Sequence, residues 1–149
     1  MEIEDGNAGF ISITYLRDRI ADIVEGRHPD TVVLVIDSVN EWLNTAKTKF
    51  PDLTDKERLD NLKVSLIDLS KEFNVTIFLS AQEKGNGKAI IDDLEFAANT
   101  HFNFSWEKDG RQDRNGIKYL NIESRKNRSG ASRKNKIQKF KGSVQEFVQ

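Results

Sequence analysis

The stretch TVVLVIDSVNEW, Thr31 to Trp42, decides the fold class of this chain. Five consecutive apolar residues, Val32 to Ile36, run directly into Asp37 and Ser38. A short apolar run without alternating polar residues is typical of a strand covered on both faces, as in a parallel sheet. We therefore predict a buried strand over Val32–Asp37 that ends at a carboxylate.

A helix and a second apolar strand follow. Thr54 and Glu57 form a capping box, because the Thr54 hydroxyl can accept a bond from the Glu57 backbone and the Glu57 carboxylate can accept one in return. The helix they open carries an apolar stripe at steps of three and four residues, formed by Leu59, Leu62, Leu66, Leu69 and Phe73. The run VTIFLSA, Val75 to Ala81, predicts a second buried strand that ends at Gln82. Strand, helix and strand in this order predict a βαβ unit with parallel strands.

The rest of the chain adds helices and strands to this unit. Alternation in FISIT, Phe10 to Thr14, predicts a strand, and helical spacing then predicts a helix through Leu16, Ile20, Ile23 and Val24. A short helix is predicted over 91–98, and strands over 101–106, 117–124 and 136–140. The predicted fold class is α/β: a largely parallel sheet flanked by helices, with a C-terminal antiparallel hairpin. We predict one domain, with a loose N-terminus over 1–9, a βαβ core over 10–106 and a basic β-hairpin region over 117–149.

Composition excludes several kinds of chemistry. The sequence has no cysteine, which rules out disulfides, thiol catalysis and Cys-ligated metals and suits a reducing compartment. His28 and His101 are far apart in sequence, so a histidine metal site is not expected. No apolar run approaches the ~20 residues that span a bilayer, and no membrane partner is predicted. We expect a cytoplasmic protein.

Charge is distributed unevenly along the chain. The formal net charge is −1, yet 8 basic residues and no acidic residue lie between Ser124 and Gln145. This pattern agrees with binding to an anionic partner, such as nucleotide phosphate or DNA. It agrees equally with a solvated charged hairpin. The candidate nucleic-acid contacts are Arg125, Arg133, Lys134 and Lys136. Phe140 is the single aromatic residue of this stretch, so base stacking is not favoured, and Trp106 is expected to pack internally.

Asp37 and Gln82 follow the two predicted parallel strands. Ligands of open α/β sheets bind outside the carboxyl ends of the strands, so both side chains are expected at one edge. A carboxylate there can hold Mg²⁺ through water, and an amide beside it can orient a phosphate or a water molecule. The alternative is that Asp37 or Ser38 only caps the following helix. The residues alone leave both alternatives open.

The order VVLVIDS, leucine-striped helix, VTIFLSAQ, strand and IESRKNRSG resembles the C-terminal half of RecA-like P-loop ATPases. The likeness spans residues 10–141 and is strongest to the RadA/Sms repair ATPases and the KaiC group, with DnaB-type helicases as more distant relatives. KNRSG resembles the KNRFG motif of the RadA type, with Ser129 in place of the aromatic residue. That change puts in doubt the packing or DNA-coupling role of the aromatic side chain.

The resemblance implies a role for each matched residue. Asp37 would be the Walker B acid that holds ATP-bound Mg²⁺ through water, with Ser38 beside it in the nucleotide site. Gln82 would be the catalytic sensor. Lys126 and Arg128 would be catalytic cations that reach a neighbouring subunit's nucleotide or couple that site to DNA. The implied cofactors are Mg²⁺ and ATP if the upstream segment of such an ATPase is supplied, and none otherwise. The implied partners are further copies of the chain in a homo-oligomer, or the upstream half of the same ATPase, and DNA.

The phosphate loop of such ATPases, GxxxxGK[ST], does not occur in the sequence, and Gly85 to Lys88 lacks its spacing and its hydroxyl. In RecA-like sheets the strand before that loop lies beside the sensor strand, so an open position is expected next to Val75–Ala81. The chain could be a fragment, another chain could supply the strand, or 75–81 could pair with 101–106. We predict no ATP hydrolysis by this chain alone. A non-catalytic oligomerisation or nucleic-acid-binding module is the alternative function.

Overall fold

The structure is a computed structural model that describes residues 11–83, 87–107, 116–130, 135–141 and 146–148. Contacts within the chain separate two compact units, Met1–Leu94 and Glu95–Gln149. Each unit contains its own sheet. The N-terminus over 1–9, which the sequence predicts to be loose, lies outside the described residues.

The first unit is built on a two-stranded parallel sheet. Its elements in chain order are α1 (Ile13–Arg27), β1 (Val33–Ile36), α2 (Val39–Lys49), α3 (Asp55–Phe73), β2 (Thr76–Leu79) and most of α4 (Gly87–Ala97). Strands β1 and β2 pair in parallel, with Val33 opposite Thr76 and Ile36 opposite Leu79. The predicted parallel pairing is therefore confirmed, with α2 and α3 both lying between the strands in the chain.

Local hydrogen bonds define both ends of α3. The Glu57 backbone N–H donates to the Thr54 hydroxyl at 3.2 Å, and the Thr54 N–H donates to the Glu57 carboxylate at 2.7 Å. At the other end Asn74 adopts the left-handed conformation with φ 52°, and its N–H donates to the Ser70 carbonyl. Asn tolerates this conformation better than most residues. The predicted start of the helix is confirmed.

The strand predicted over Phe10–Thr14 is wrong in its described part. Helix α1 begins at Ile13, and the Ser12 hydroxyl caps it by accepting a bond from the Tyr15 backbone at 3.0 Å. Ile13 and Leu16 both pack on the core from this helix. Their helical spacing therefore outweighs the short alternation that suggested a strand.

The apolar stripe of α3 supplies the core of the first unit. Leu62 and Leu69 are both 0 % exposed. One buried cluster consists of Val39, Leu43, Leu59, Leu62, Leu66 and Ile90, and a second consists of Ile20, Leu69 and Val75. Complete burial of one leucine side chain contributes about 1.5–3 kcal/mol. The stripe thus holds the other helices and β2 around α3.

One face of the parallel sheet packs on the helices, and the opposite face is exposed. The packed side chains are Leu34, Ile36 and Ile77, and the exposed ones are Val33, Val35 and Phe78, at 52 %, 65 % and 59 %. The prediction that Val32–Asp37 is buried on both faces is therefore wrong for this structure. The physical reason is that, within the part of the chain that the structure describes, apolar side chains pack against one face only.

The second unit is a four-stranded antiparallel sheet. After the end of α4 it contains β3 (Thr100–Trp106), β4 (Ile117–Asn127), β5 (Asn135–Lys141) and β6 (Glu146–Val148), in the spatial order β3–β4–β5–β6. The predicted antiparallel hairpin is confirmed by the pairing of β4 with β5. Strand β3 pairs with β4, so the alternative in which 75–81 pairs with 101–106 is not formed. Among the described helices, none is long and apolar enough to cross a membrane.

Candidate functional site

The carboxyl ends of β1 and β2 lie level with each other. Because Ile36 is opposite Leu79, the next residues, Asp37 and Ser80, leave the sheet together. The Ser80 N–H donates to the Ile36 carbonyl at 3.0 Å, and the Ser80 hydroxyl donates to the exposed Asp37 carboxylate. The Asp37 side chain is thus oriented at the rim by a residue of the neighbouring strand.

Gln82 is held at the same end of the sheet by Asn40. The Gln82 N–H donates to the Asn40 side-chain oxygen at 2.8 Å, and the Asn40 amide donates back to the Gln82 carbonyl at 3.2 Å. Both bonds involve the Gln82 backbone, and its exposed side-chain amide takes no part in them. The structure therefore brings both predicted residues to one edge, although Ser80 is the residue directly across from Asp37.

Ser38 is the N-cap of α2. Its hydroxyl accepts a hydrogen bond from the Glu41 backbone at 3.4 Å, and the Asp37–Ser38 peptide bond is cis. Capping by Ser38 is one of the two alternatives that the sequence left open. Because the serine takes the cap, the Asp37 carboxylate is not used for it.

A cleft of about 530 Å³ opens beside this rim. Its polar lining includes Ser38, Asn40, Glu41, Lys56, Gln82 and Asp93, whereas Asp37 is not among its lining residues. Lys47 and Asp55, also in the wall, form an ion pair at 3.1 Å. Hydrogen bonds from Arg58 and then Lys47 hold the pKa of the Asp55 carboxyl below its ordinary value. The charges that Lys47 and Asp55 bring to this wall are therefore paired with each other.

Asp37 is the carboxylate that lies directly beyond the end of β1. Among the described residues there is no group of three or more His, Asp or Glu side chains that could hold a metal ion. Mg²⁺ is commonly bound by one or two carboxylates, with water and substrate phosphates as its other ligands. Asp37 fits that kind of partial site and does not fit an all-protein metal cage.

Lys126 and Arg128 lie on and just after β4, in the second unit, and bond to the C-terminal end of α4. The Lys126 ammonium donates to the Glu95 and Phe96 carbonyls at 2.5 and 3.0 Å. The Arg128 guanidinium donates to the Phe96 carbonyl at 3.3 Å and to the Asn99 side chain at 3.4 Å. Cations at this position satisfy helix carbonyls that have no partner within the helix. To contact a nucleotide in a neighbouring subunit, Lys126 and Arg128 would have to release these bonds.

The other predicted basic contacts are distributed over the same unit. Arg125 is exposed and pairs with Glu123 at 3.3 Å. Lys136 is exposed on β5. Arg133 and Lys134 lie outside the described residues.

The sequence did not predict the position of Ser80 or the exposure of Trp106. Ser80 is visible only from the register, because the apolar run VTIFLSA gives no sign that β2 ends at Leu79. Trp106 was expected to pack internally, yet it is 47 % exposed in this structure. Its alternation with two phenylalanines in HFNFSW was the available signal.

No protein-family model, no curated protein and no solved structure matches this chain. The class that the structure itself defines is an α/β protein. Its small parallel sheet carries a polar rim, and its second sheet is antiparallel.

Proposed function

We propose that this chain is a RecA-like ATPase module of the RadA and KaiC type, which contributes residues to an ATP site without hydrolysing ATP alone. The observation that supports the proposal is the common position of Asp37 and Gln82 beyond the carboxyl ends of two parallel strands. Ligands of open α/β sheets bind at that position.

Asp37 would act on the cation and Gln82 on the reacting group. A water-mediated carboxylate neutralises part of the charge of Mg²⁺·ATP without displacing the phosphate ligands of the metal. Ser80 orients the Asp37 carboxylate through its hydroxyl. The exposed side-chain amide of Gln82 would orient a terminal phosphate or an attacking water molecule.

Lys126 and Arg128 would supply positive charge in an oligomer. Cations of this kind stabilise the charge that develops on a transferred phosphoryl group. Both side chains now bond to the end of α4. Their engagement with a neighbour's nucleotide would therefore compete with the capping of that helix, and assembly would have to exchange one set of bonds for the other.

The phosphate loop would come from another segment or another chain. The exposed face of β1 and β2, which includes Val35 and Phe78, supports such an incomplete arrangement, because parallel strands normally have both faces covered. Each of these strands also has one hydrogen-bonding edge without a partner among the described residues. A loop-bearing strand and its helix would supply both missing contacts.

The test is phosphate release from Mg²⁺·ATP by purified residues 1–149. We expect no turnover above the background rate, because backbone N–H groups that cradle the phosphates are needed to position them. Turnover that is present in the parent chain and lost in Asp37→Ala would contradict the proposal. Asp93→Asn, in the wall of the same cleft, is the control for nonspecific charge effects.

A second candidate function is a binding module without nucleotide chemistry. It is favoured by the present bonding of Lys126 and Arg128 within their own unit. If the basic hairpin binds DNA, added salt should weaken binding steeply, because each neutralised phosphate releases counterions. Binding that is insensitive to salt would contradict this candidate for nucleic acid.

A further inference from the structure

The antiparallel sheet of the second unit gathers five aromatic side chains on one face. They are Phe102, Phe104 and Trp106 from β3, Phe140 from β5 and Phe147 from β6. Strand register places them on one face. Trp106 is opposite Leu120 on β4, and Lys118 is on the same face as Leu120 because it lies two residues away on that strand. Phe140 is opposite both Lys118 and Phe147. We name this set the aromatic face. Its members come from the first, third and fourth strands of this sheet.

Three rings of the aromatic face lie close together, and four of the five rings are exposed to solvent. The ring centroids of Trp106 and Phe140 are 5.8 Å apart, and those of Phe140 and Phe147 are 5.3 Å apart. Phe102, Phe104 and Phe147 are 52 %, 61 % and 61 % exposed. Solvent-exposed aromatic side chains in such number are not explained by the packing of this unit, so they indicate an interaction surface.

Two lysines lie among these rings. The Lys118 ammonium is 5.7 Å from the centroid of the Trp106 ring. Lys136 lies on the same face, because its partner in the register, Ile122, is also the partner of Phe104. The exposed face of the parallel sheet differs in kind: its described members, such as Val35 and Phe78, include no basic side chain.

The charge of the second unit is opposite to that of the first. Residues 95–149 carry 12 basic and 6 acidic side chains, a formal charge of +6, whereas residues 1–94 carry 11 and 18, a charge of −7. An electropositive unit attracts a polyanion over a distance of about one Debye length. The surroundings of the aromatic face thus favour a negatively charged partner.

We propose that the aromatic face binds single-stranded nucleic acid by stacking unpaired bases on Phe104, Trp106 and their neighbours. Every base has a flat π-face that can stack on an aromatic ring, and lysines between the rings can pair with the phosphates. Exposed rings on a four-stranded antiparallel sheet serve this purpose in RNA-binding modules. A duplex presents no unstacked base and should bind less well.

This proposal does not depend on the ATPase proposal, because the aromatic face lies wholly in the second unit and ATP takes no part in the binding. The measurement is fluorescence anisotropy of labelled 20-nucleotide dT and rU strands, titrated with the full chain at several salt concentrations. Binding of either strand, with weaker binding of the matching duplex, supports the proposal. The dT strand tests binding to DNA, and the rU strand tests binding to RNA.

Two variants of Phe104 and one control variant test the mode of binding. Phe104→Ala and Phe104→Leu should each weaken single-strand binding roughly tenfold, because both remove the stacking ring. Phe104→Leu preserves apolar volume in case the alanine variant folds poorly. Ile137→Ala is the matched control: Ile137 is 58 % exposed on β5 but points to the opposite face, so its replacement should leave binding unchanged.

The charge contribution is tested in the same way. Lys136→Ala should reduce the slope of log K against log salt by about 0.7, the value for one phosphate contact with a single strand. Lys139→Ala, three residues further along β5 and on the opposite face, should not change the slope. Equal loss in the test and control variants, preference for duplex, or no single-strand binding would overturn the proposal. Self-association that is lost in Phe104→Leu, without single-strand binding, would also overturn it, since the face would then bind protein.

Discussion

The hydroxyl of Ser80 donates a hydrogen bond to the carboxylate of Asp37 across the ends of two neighbouring parallel strands. This contact joins the end of β2 to the acid on which the proposed function depends. It also continues the backbone pairing, since the Val39 N–H donates to the Ser80 carbonyl at 2.9 Å. The rim is therefore an ordered extension of the sheet.

Ser80→Ala should lower the free energy of unfolding by about 1 kcal/mol, because one hydrogen bond to a charged but exposed group is lost. Urea denaturation measures the change. Ser80→Thr keeps the hydroxyl and is the control, which should retain most of the stability. Equal stability of the parent and the alanine variant would show that the bond contributes nothing in solution.

The buried stripe of α3 offers a test of the core. Leu62→Ala should cost about 2–5 kcal/mol, because Leu62 is 0 % exposed and its truncation leaves a cavity. Val64→Ala, two residues away on the same helix and 59 % exposed, should change the stability by less than about 0.5 kcal/mol. Thermal unfolding of both variants measures the difference, and similar losses would contradict the assigned orientation of α3.

Three acids in the first two turns of α3 should make stability depend on pH. Hydrogen bonds from Arg58, Thr54 and Lys63 lower the pKa of Asp55, Glu57 and Asp60, respectively, from ordinary values of 3.8, 4.5 and 3.8. A lowered pKa in the folded state gives stability that is present above the ordinary pKa and is lost as pH falls through the lowered one. The melting temperature should therefore fall as pH drops below about 4.5.

The control for this pH dependence is the combined variant Asp55→Asn, Glu57→Gln and Asp60→Asn. It removes the three titrating groups and keeps side chains of similar size. Its melting temperature should be lower at neutral pH and should vary less between pH 5 and 3, the region set by the ordinary values of 3.8 and 4.5. A pH profile parallel to that of the parent chain would assign the acid sensitivity to other groups.

Local sequence signals predicted α3 almost completely. The capping box at Thr54, the apolar stripe through Leu62 and the left-handed Asn74 each act over a few residues, so the sequence contains all the relevant information. The two parallel strands were predictable for the same reason, from their mostly apolar runs. The short alternation at Phe10–Thr14 was misleading because a single N-cap, Ser12, was enough to start a helix.

Pairing between distant strands was not predictable at the level of single residues. The sequence placed Asp37 and Gln82 at one edge, but the register puts Ser80 across from Asp37, and Asn40 holds Gln82. A shift of two residues in a strand end leaves the apolar pattern nearly unchanged. The same limit concealed the aromatic face, because Trp106 and Phe140 meet only through the register of β4 with its two neighbours.

The central claim is that Asp37 lies where a polyphosphate-bound cation binds. Paramagnetic broadening of amide resonances by excess Mn²⁺·ATP tests it most directly, because broadening detects the weak, transient binding expected of a chain without its phosphate loop. We predict selective broadening at Ser38, Ser80 and Gln82, which is abolished in Asp37→Asn and retained in Asp93→Asn. Broadening centred elsewhere, or unchanged by Asp37→Asn, would contradict the account.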